Sequence, residues 1–199
     1  MTPAAFFAAY DAFGERRAGT PGDAASAAWL RDLAIAAGAE AALQPVAFRR
    51  IVPGPSFLEI DGRRIEGLPL FDGGTTPAEG IAGALGPLGS DAAIGVAEME
   101  PRSASLPGNP FALARAESRH AAIVVALRTK PDSIAPLNAH DTAHPFGPPV
   151  LQVAGREGPA LLARAMQGAH AARAVVVATG EYSVSHNIRA ELPGGATPP

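Results

Sequence analysis

Beyond residue 40 the chain is cut into short pieces by glycine and proline. The 199 residues include 22 Gly and 20 Pro, and a proline inside a helix both removes a donor and collides with the preceding turn. Short strands are what this texture permits. Val46-Ala47-Phe48 and Phe57–Ile60 are β candidates, and Asp61-Gly62 is a tight-turn signal before Arg63-Arg64-Ile65, so that pair reads as a hairpin. Glycines 80, 83, 86 and 89 recur every three residues in GIAGALGPLG. A phosphate-cradling loop needs a helix opening directly behind it, which Pro87 and Ser90-Asp91 do not supply. The segment reads as a strand and turn with close backbone approach.

Further along, AAIVVAL at 121–127 is a buried strand by its length and β-branching. Residues 111–119 form a short helix capped by Asn109, with Pro110 following. A Pro-rich polar loop fills 129–149. Val150–Val153 is a second buried strand, and Pro159–Gln167 a helix ended by Gly168. Ala174–Val177 and Val184–Leu192 read as two more strands, and the tail PGGATPP as a linker or a cut edge. The first 40 residues differ: they are helical. Ala5, Phe6, Tyr10 and Phe13 lie at roughly helical spacing before Gly14. Thr20-Pro21 is an N-cap and first-turn pair, after which Ala24, Ala27, Leu30, Leu33, Ala34 and Ala37 line one face up to Gly38.

Composition removes several chemistries. With no cysteine there is no thiol nucleophile, thiolate metal site or disulfide. The single lysine, Lys130, has no glycine-rich lead-in, so a Walker-type loop is absent. Sixteen basic against nineteen acidic residues give a net charge of -3, and the pairs Arg16-Arg17, Arg49-Arg50 and Arg63-Arg64 are scattered. No nucleic-acid partner is expected. Ala4–Tyr10 is apolar but has no basic residue before it, and Asp11 follows, unlike a signal peptide. No run approaches the roughly 20 apolar residues of a membrane span. The expectation is a soluble cytoplasmic chain with no membrane partner, export being compatible with the same composition.

Candidate chemistry is thin. His140, Asp141 and His144 in HDTAH imitate the HExxH zinc motif, but that motif needs a helix, and Pro136, Pro145 and Gly147 frame a loop. His120 and His170 read as surface or packing residues. Ser185 and His186 are neighbours on a strand and point to opposite faces, so they are not a nucleophile–base pair. Glu98 and Glu100 would share a strand face, as a carboxylate dyad or as a solvated surface. No residue is assigned a catalytic, cofactor-binding or metal-binding role.

The order of segments nevertheless resembles a known family. Arg16, Arg17, Gly19, Thr20 and Gly22, followed by Trp29-Leu30, are similar to the N-terminal turn and helix of M28-family zinc aminopeptidases. Residues 121–169 resemble a protease-associated (PA) domain: a buried strand, a loop, P-x-L-x-V and a helix. SVSHNIRAELPG at 183–194 is similar to the stretch by which the chain re-enters the peptidase, with Asn187-Ile188 and Leu192-Pro193-Gly194 in the family's positions.

This resemblance implies an α+β fold, with a PA-type β-sandwich or open barrel and flanking helices behind a helical N-terminal segment. The implied division is 1–52 as helical segment and first peptidase strand, 53–178 as PA-like domain, and 179–199 as return strand and linker. The family's His-x-Asp and Glu-Glu ligand motifs are absent from the sequence. The two zinc ions would therefore belong to a missing catalytic domain, with no cofactor in this chain. The expected function is the non-catalytic N-terminal and PA portion of an M28-like aminopeptidase, modulating substrate access or contacts. The alternative is a free-standing PA-fold module that binds a protein or peptide. Its partner is then either the missing catalytic domain or that protein or peptide.

Overall fold

The computed structural model describes residues 1–100, 108–128, 132–168, 170–192 and 194. Lys130 and most of the PGGATPP tail lie outside the described residues. The chain divides into two compact units, Met1–Arg50 with Glu181–Pro199, and Ile51–Gly180.

The first unit holds α1 (Pro3–Asp11) and α2 (Pro21–Ala36). Helix α2 has complete caps, which is why its limits are legible in the sequence. Thr20 Oγ1 accepts from Asp23 N at 3.2 Å, and the Asp23 carboxylate reaches past the N-cap to accept from Gly19 N at 2.8 Å, a variant of the capping box. At the other end Gly38 takes φ +91°. Gly38 N–H donates to Ile35 O at 2.9 Å and Ala39 N–H to Ala34 O at 3.0 Å, the left-handed cap that glycine permits. Phe6 and Phe13 pack on Trp29, with ring centroids 5.1 and 5.7 Å apart. Yet only Thr20, Ser26 and Ala27 are buried among this unit's described residues.

Seven strands follow: β1 (Glu40–Ile60), β2 (Arg63–Pro69), β3 (Ile81–Pro87), β4 (Ile94–Met99), β5 (Ala122–Leu127), β6 (Val150–Val153) and β7 (Ala171–Glu191). Two of them correct the sequence reading. The pieces at 46–48 and 57–60 belong to one 21-residue strand, as do 174–177 and 184–192 up to Glu191. Pro45, Pro53 and Pro55 stand within β1. Proline's fixed φ is compatible with extended backbone, so it interrupts a strand only where its missing N–H was needed. Strand β1 ends where a turn signal coincides with a reversal of the chain. Asp61-Gly62 supplies both: φ is +52° and +72°, and Ile60 pairs with Arg63 across the turn.

The second unit is a closed barrel in the order β1-β2-β6-β5-β4-β3-β7, where the sequence suggested a sandwich or open barrel. Strands β3, β4, β5 and β6 run parallel, and β1/β2, β2/β6 and β3/β7 pair antiparallel. One buried cluster takes residues from all seven strands, including Leu58, Ile65, Leu85, Val96, Val124 and Val176, and is therefore the barrel interior. Leu161 and Ala165 of α4 (Gly158–Gln167) join it. A second cluster lies on the other face of β4-β5-β6. There α3 (Pro110–Glu117) covers Ile123, Val125 and Leu127 with Phe111 and Ala114. Buried on both faces, β5 is apolar throughout, as parallel strands are. Among the described residues no helix is long and apolar enough to cross a membrane.

Candidate functional site

The most elaborate polar structure lies in the barrel unit at the base of the 132–149 loop. The face that α3 turns inward carries Phe111 and Ala114, and with them Arg115, an arginine in an apolar stripe. Its Nη2 donates to Asp72 Oδ1 at 2.9 Å, to Asp72 O at 3.0 Å and to Phe146 O at 3.2 Å. The second carboxylate oxygen of Asp72 accepts from His140 N at 2.6 Å. Arg115 also lies 4.0 Å over the Phe146 ring. Side-chain exposures of 7% and 1% make Arg115 and Asp72 a buried ion pair. Burial pulls the guanidinium below its ordinary pKa, and Asp72 opposes that effect. Arg115 Nε is buried and has no hydrogen-bond partner among the described residues. The arrangement fastens a long loop to the barrel wall. Sequence reasoning passed over Asp72 and Arg115, although an arginine sharing a helix face with Phe111 is a readable signal.

The residues that sequence did single out are dispersed. His140 meets Asp72 through its backbone, whereas the His144 ring is 85% exposed and approaches Asp141 Oδ2 at 2.8 Å. No helix forms there, so the two imidazoles are not set one above the other as HExxH chemistry requires. His144 and the Ala143 and His144 N–H groups hold the Asp141 carboxyl below its ordinary value. His120 is a packing residue, 2% exposed. Its Nδ1 lies 2.7 Å from Ala92 O and its Nε2 accepts from Gly89 N at 2.9 Å, which assigns the neutral Nδ1–H tautomer. The ring lies so close to Gly95 that a Cβ there would come within 2.6 Å of it. His170 approaches Asp61 Oδ1 at 3.4 Å, beside the Arg164–Asp61 pair. Ser185 and His186 stand side by side on β7.

Glu98 and Glu100 do come together, through Arg128, whose nitrogens lie 3.5 and 3.6 Å from the two carboxylates. They edge a cleft of about 400 Å³ with an apolar lining that includes Val96, Met99, Phe111 and Leu162. A second cleft, of about 510 Å³, is lined by Glu59, Asp61, Arg64 and Arg173. There Arg173 Nη2 donates to Glu59 Oε2 at 2.7 Å. In both clefts the carboxylates are engaged by arginine. Among the described residues no three His, Asp or Glu side chains converge as a metal site. The described side chains do not fit a zinc pair.

No family model matches the sequence, and none of the curated proteins does. The fold, in contrast, has solved counterparts. A zinc aminopeptidase from Bacillus subtilis superposes with a TM-score of 0.67 at 20% identity, over 90% of this chain and 43% of its own. An aminopeptidase from Aneurinibacillus sp. strain AM-1 gives 0.63 at 18%, covering 90% and 46%. A peptidase M28 precursor from Shewanella amazonensis SB2B gives 0.64 at 16%, covering 91% and 48%. The chain thus has the fold of part of these aminopeptidases and spans less than half of their length.

Proposed function

We propose that this chain is the N-terminal, non-catalytic portion of an M28-like metallo-aminopeptidase. In this reading its barrel is a PA-type domain that modulates substrate access or contacts. The observation that carries the reading is the superposition of about nine-tenths of the chain on under half of several aminopeptidases. The motif order at 13–40, 121–169 and 183–194 supports it independently. The Asp72–Arg115 clamp suits a domain that presents a shaped surface, because it fixes the 132–149 loop without engaging a substrate. In this reading the zinc pair resides in the catalytic portion, outside the residues described.

Two measurements test the proposal. Purified chain, supplied with zinc, is assayed for release of p-nitroaniline from leucine p-nitroanilide; none is expected. Zinc-stoichiometric turnover would overturn the non-catalytic role. Separately, the DNA beyond codon 199, read in every frame, is expected to encode a His-x-Asp motif within a few dozen residues. Finding neither that motif nor a catalytic domain nearby would remove the aminopeptidase parent.

A further inference from the structure

His120, two residues ahead of β5, is a buried titratable side chain with both ring nitrogens committed. Its Nε2 accepts from Gly89 N and its Nδ1–H donates to Ala92 O, so the ring ties down the β3–β4 turn at two points. The ring itself has little freedom. Beside it Ala121 N–H donates to Ala93 O at 2.9 Å. A Cβ on Gly95 would lie 2.6 Å from the ring Cδ2 and 2.7 Å from Nε2, so β4 backs directly onto the imidazole. The turn is less confined: Gly89, at φ +87°, and Asp91 are both exposed. Pro87 and Leu88, at its head, belong to the wall of the apolar cleft that also includes Val96 and Phe111.

We propose that protonation of His120 is a switch that releases the β3–β4 turn and loosens the Leu88 wall of that cleft. A backbone N–H such as that of Gly89 can only donate, and an imidazolium has two N–H groups and no acceptor. A proton on Nε2 therefore sets two donors against each other in a buried site. The ring, backed by Gly95, has no room to withdraw on that side, so the turn gives way. The charges on the surrounding elements do not offset this. Arg119 reaches Gly89 O at 3.5 Å and is paired with Glu117, so it brings a further cation to the turn. Asp91 stands exposed on the turn itself. On β4 the charged residue is Glu98, which faces Arg128, and β5 has none. Among the described residues the hydrogen-bond partners of the ring are Gly89 and Ala92, and no carboxylate bonds it. The latch is complete while the ring is neutral and is lost as pH falls through its titration. The proposal rests on the His120 geometry alone and is independent of the peptidase reading.

Hydrogen exchange of the whole chain at about pH 7.5 and about pH 5.0 tests it. After correction for intrinsic exchange, the Gly89 amide is expected to lose protection at least about tenfold at the lower pH, while Ile123, Val124 and Val125 keep theirs. The Leu88 methyl resonances are expected to shift over the same interval. His120→Gln turns a non-titrating acceptor toward Gly89, and its Gly89 protection is expected to agree at the two pH values within about threefold. Should that variant lose the wild-type circular dichroism spectrum, the ring nitrogens and the Gly89 amide of the wild-type chain are titrated together by nitrogen-15 NMR. The two are expected to move with one midpoint. Gly89 protection independent of pH, pH dependence that persists in folded His120→Gln, or a ring that titrates while Gly89 stays still would overturn the proposal. So would loss of protection in β5 together with Gly89, which is global unfolding and not a local release.

Discussion

Arg115 offers three acceptors a single nitrogen, and the buried Asp72 carboxylate is compensated by that guanidinium together with the His140 N–H. Truncating one member leaves the other unpaired in a low-dielectric site. Arg115→Met is expected to cost about 3–5 kcal/mol in urea unfolding. Replacing Asp72 with Asn in the same chain should recover part of that loss; strict additivity of the two changes would contradict the pairing. A milder test sits on the same loop. Asp141 is held below the ordinary carboxylate value chiefly by His144, then by the Ala143 N–H. A depressed folded pKa contributes stability above the unfolded value and loses it as pH falls through the folded one. Carbon-13 titration of the Asp141 carboxyl should therefore show a low midpoint that rises in His144→Ala. An unchanged midpoint would mean that the ring contact contributes nothing.

At the scale of elements, the legible parts were those with local punctuation. Helix α3 starts where Asn109 Oδ1 accepts from Phe111 N at 2.8 Å, and Asn109→Ala should lower stability by about 1 kcal/mol in the same denaturation assay. Helices α2 and α4, the Asp61-Gly62 turn and the buried β5 were equally readable, since each is decided by residues within one turn or one strand. The long strands were not. Nothing local in Pro53-Gly54-Pro55 says that the chain continues straight; Ser56 Oγ, donating to Val177 O at 3.4 Å and accepting from Val177 N at 3.3 Å, belongs to a pairing 121 residues away. The clamp was hidden for the same reason, because Asp72 and Arg115 are 43 positions apart. Dispersal of the five histidines, in contrast, was already implied by their loop and strand contexts.

The whole molecule is uneven in how much it buries. The barrel unit carries both apolar clusters, whereas the other unit shields only Thr20, Ser26 and Ala27 among its described residues. Backbone protection follows buried packing. Native-state hydrogen exchange should find the slowest amides at Ile123, Val124 and Val125, and the first unit's helices exchanging at least about a hundredfold faster. Equal protection in both units would show that cooperativity extends beyond the buried clusters.

The position of β7 in the barrel has a consequence for how the chain is made. It is the last of the barrel's seven described strands in sequence and sits between β3 and β1, where Val176 N–H donates to Thr76 Oγ1 at 3.0 Å and Val176 O accepts from Thr76 N at 2.8 Å. Every earlier strand can leave the ribosome, and β3 to β6 can assemble, yet the ring stays one stave short until residues 171–177 emerge. The interior therefore stays unsealed through that interval, and the sheet's two open edges are meanwhile available to any other strand nearby.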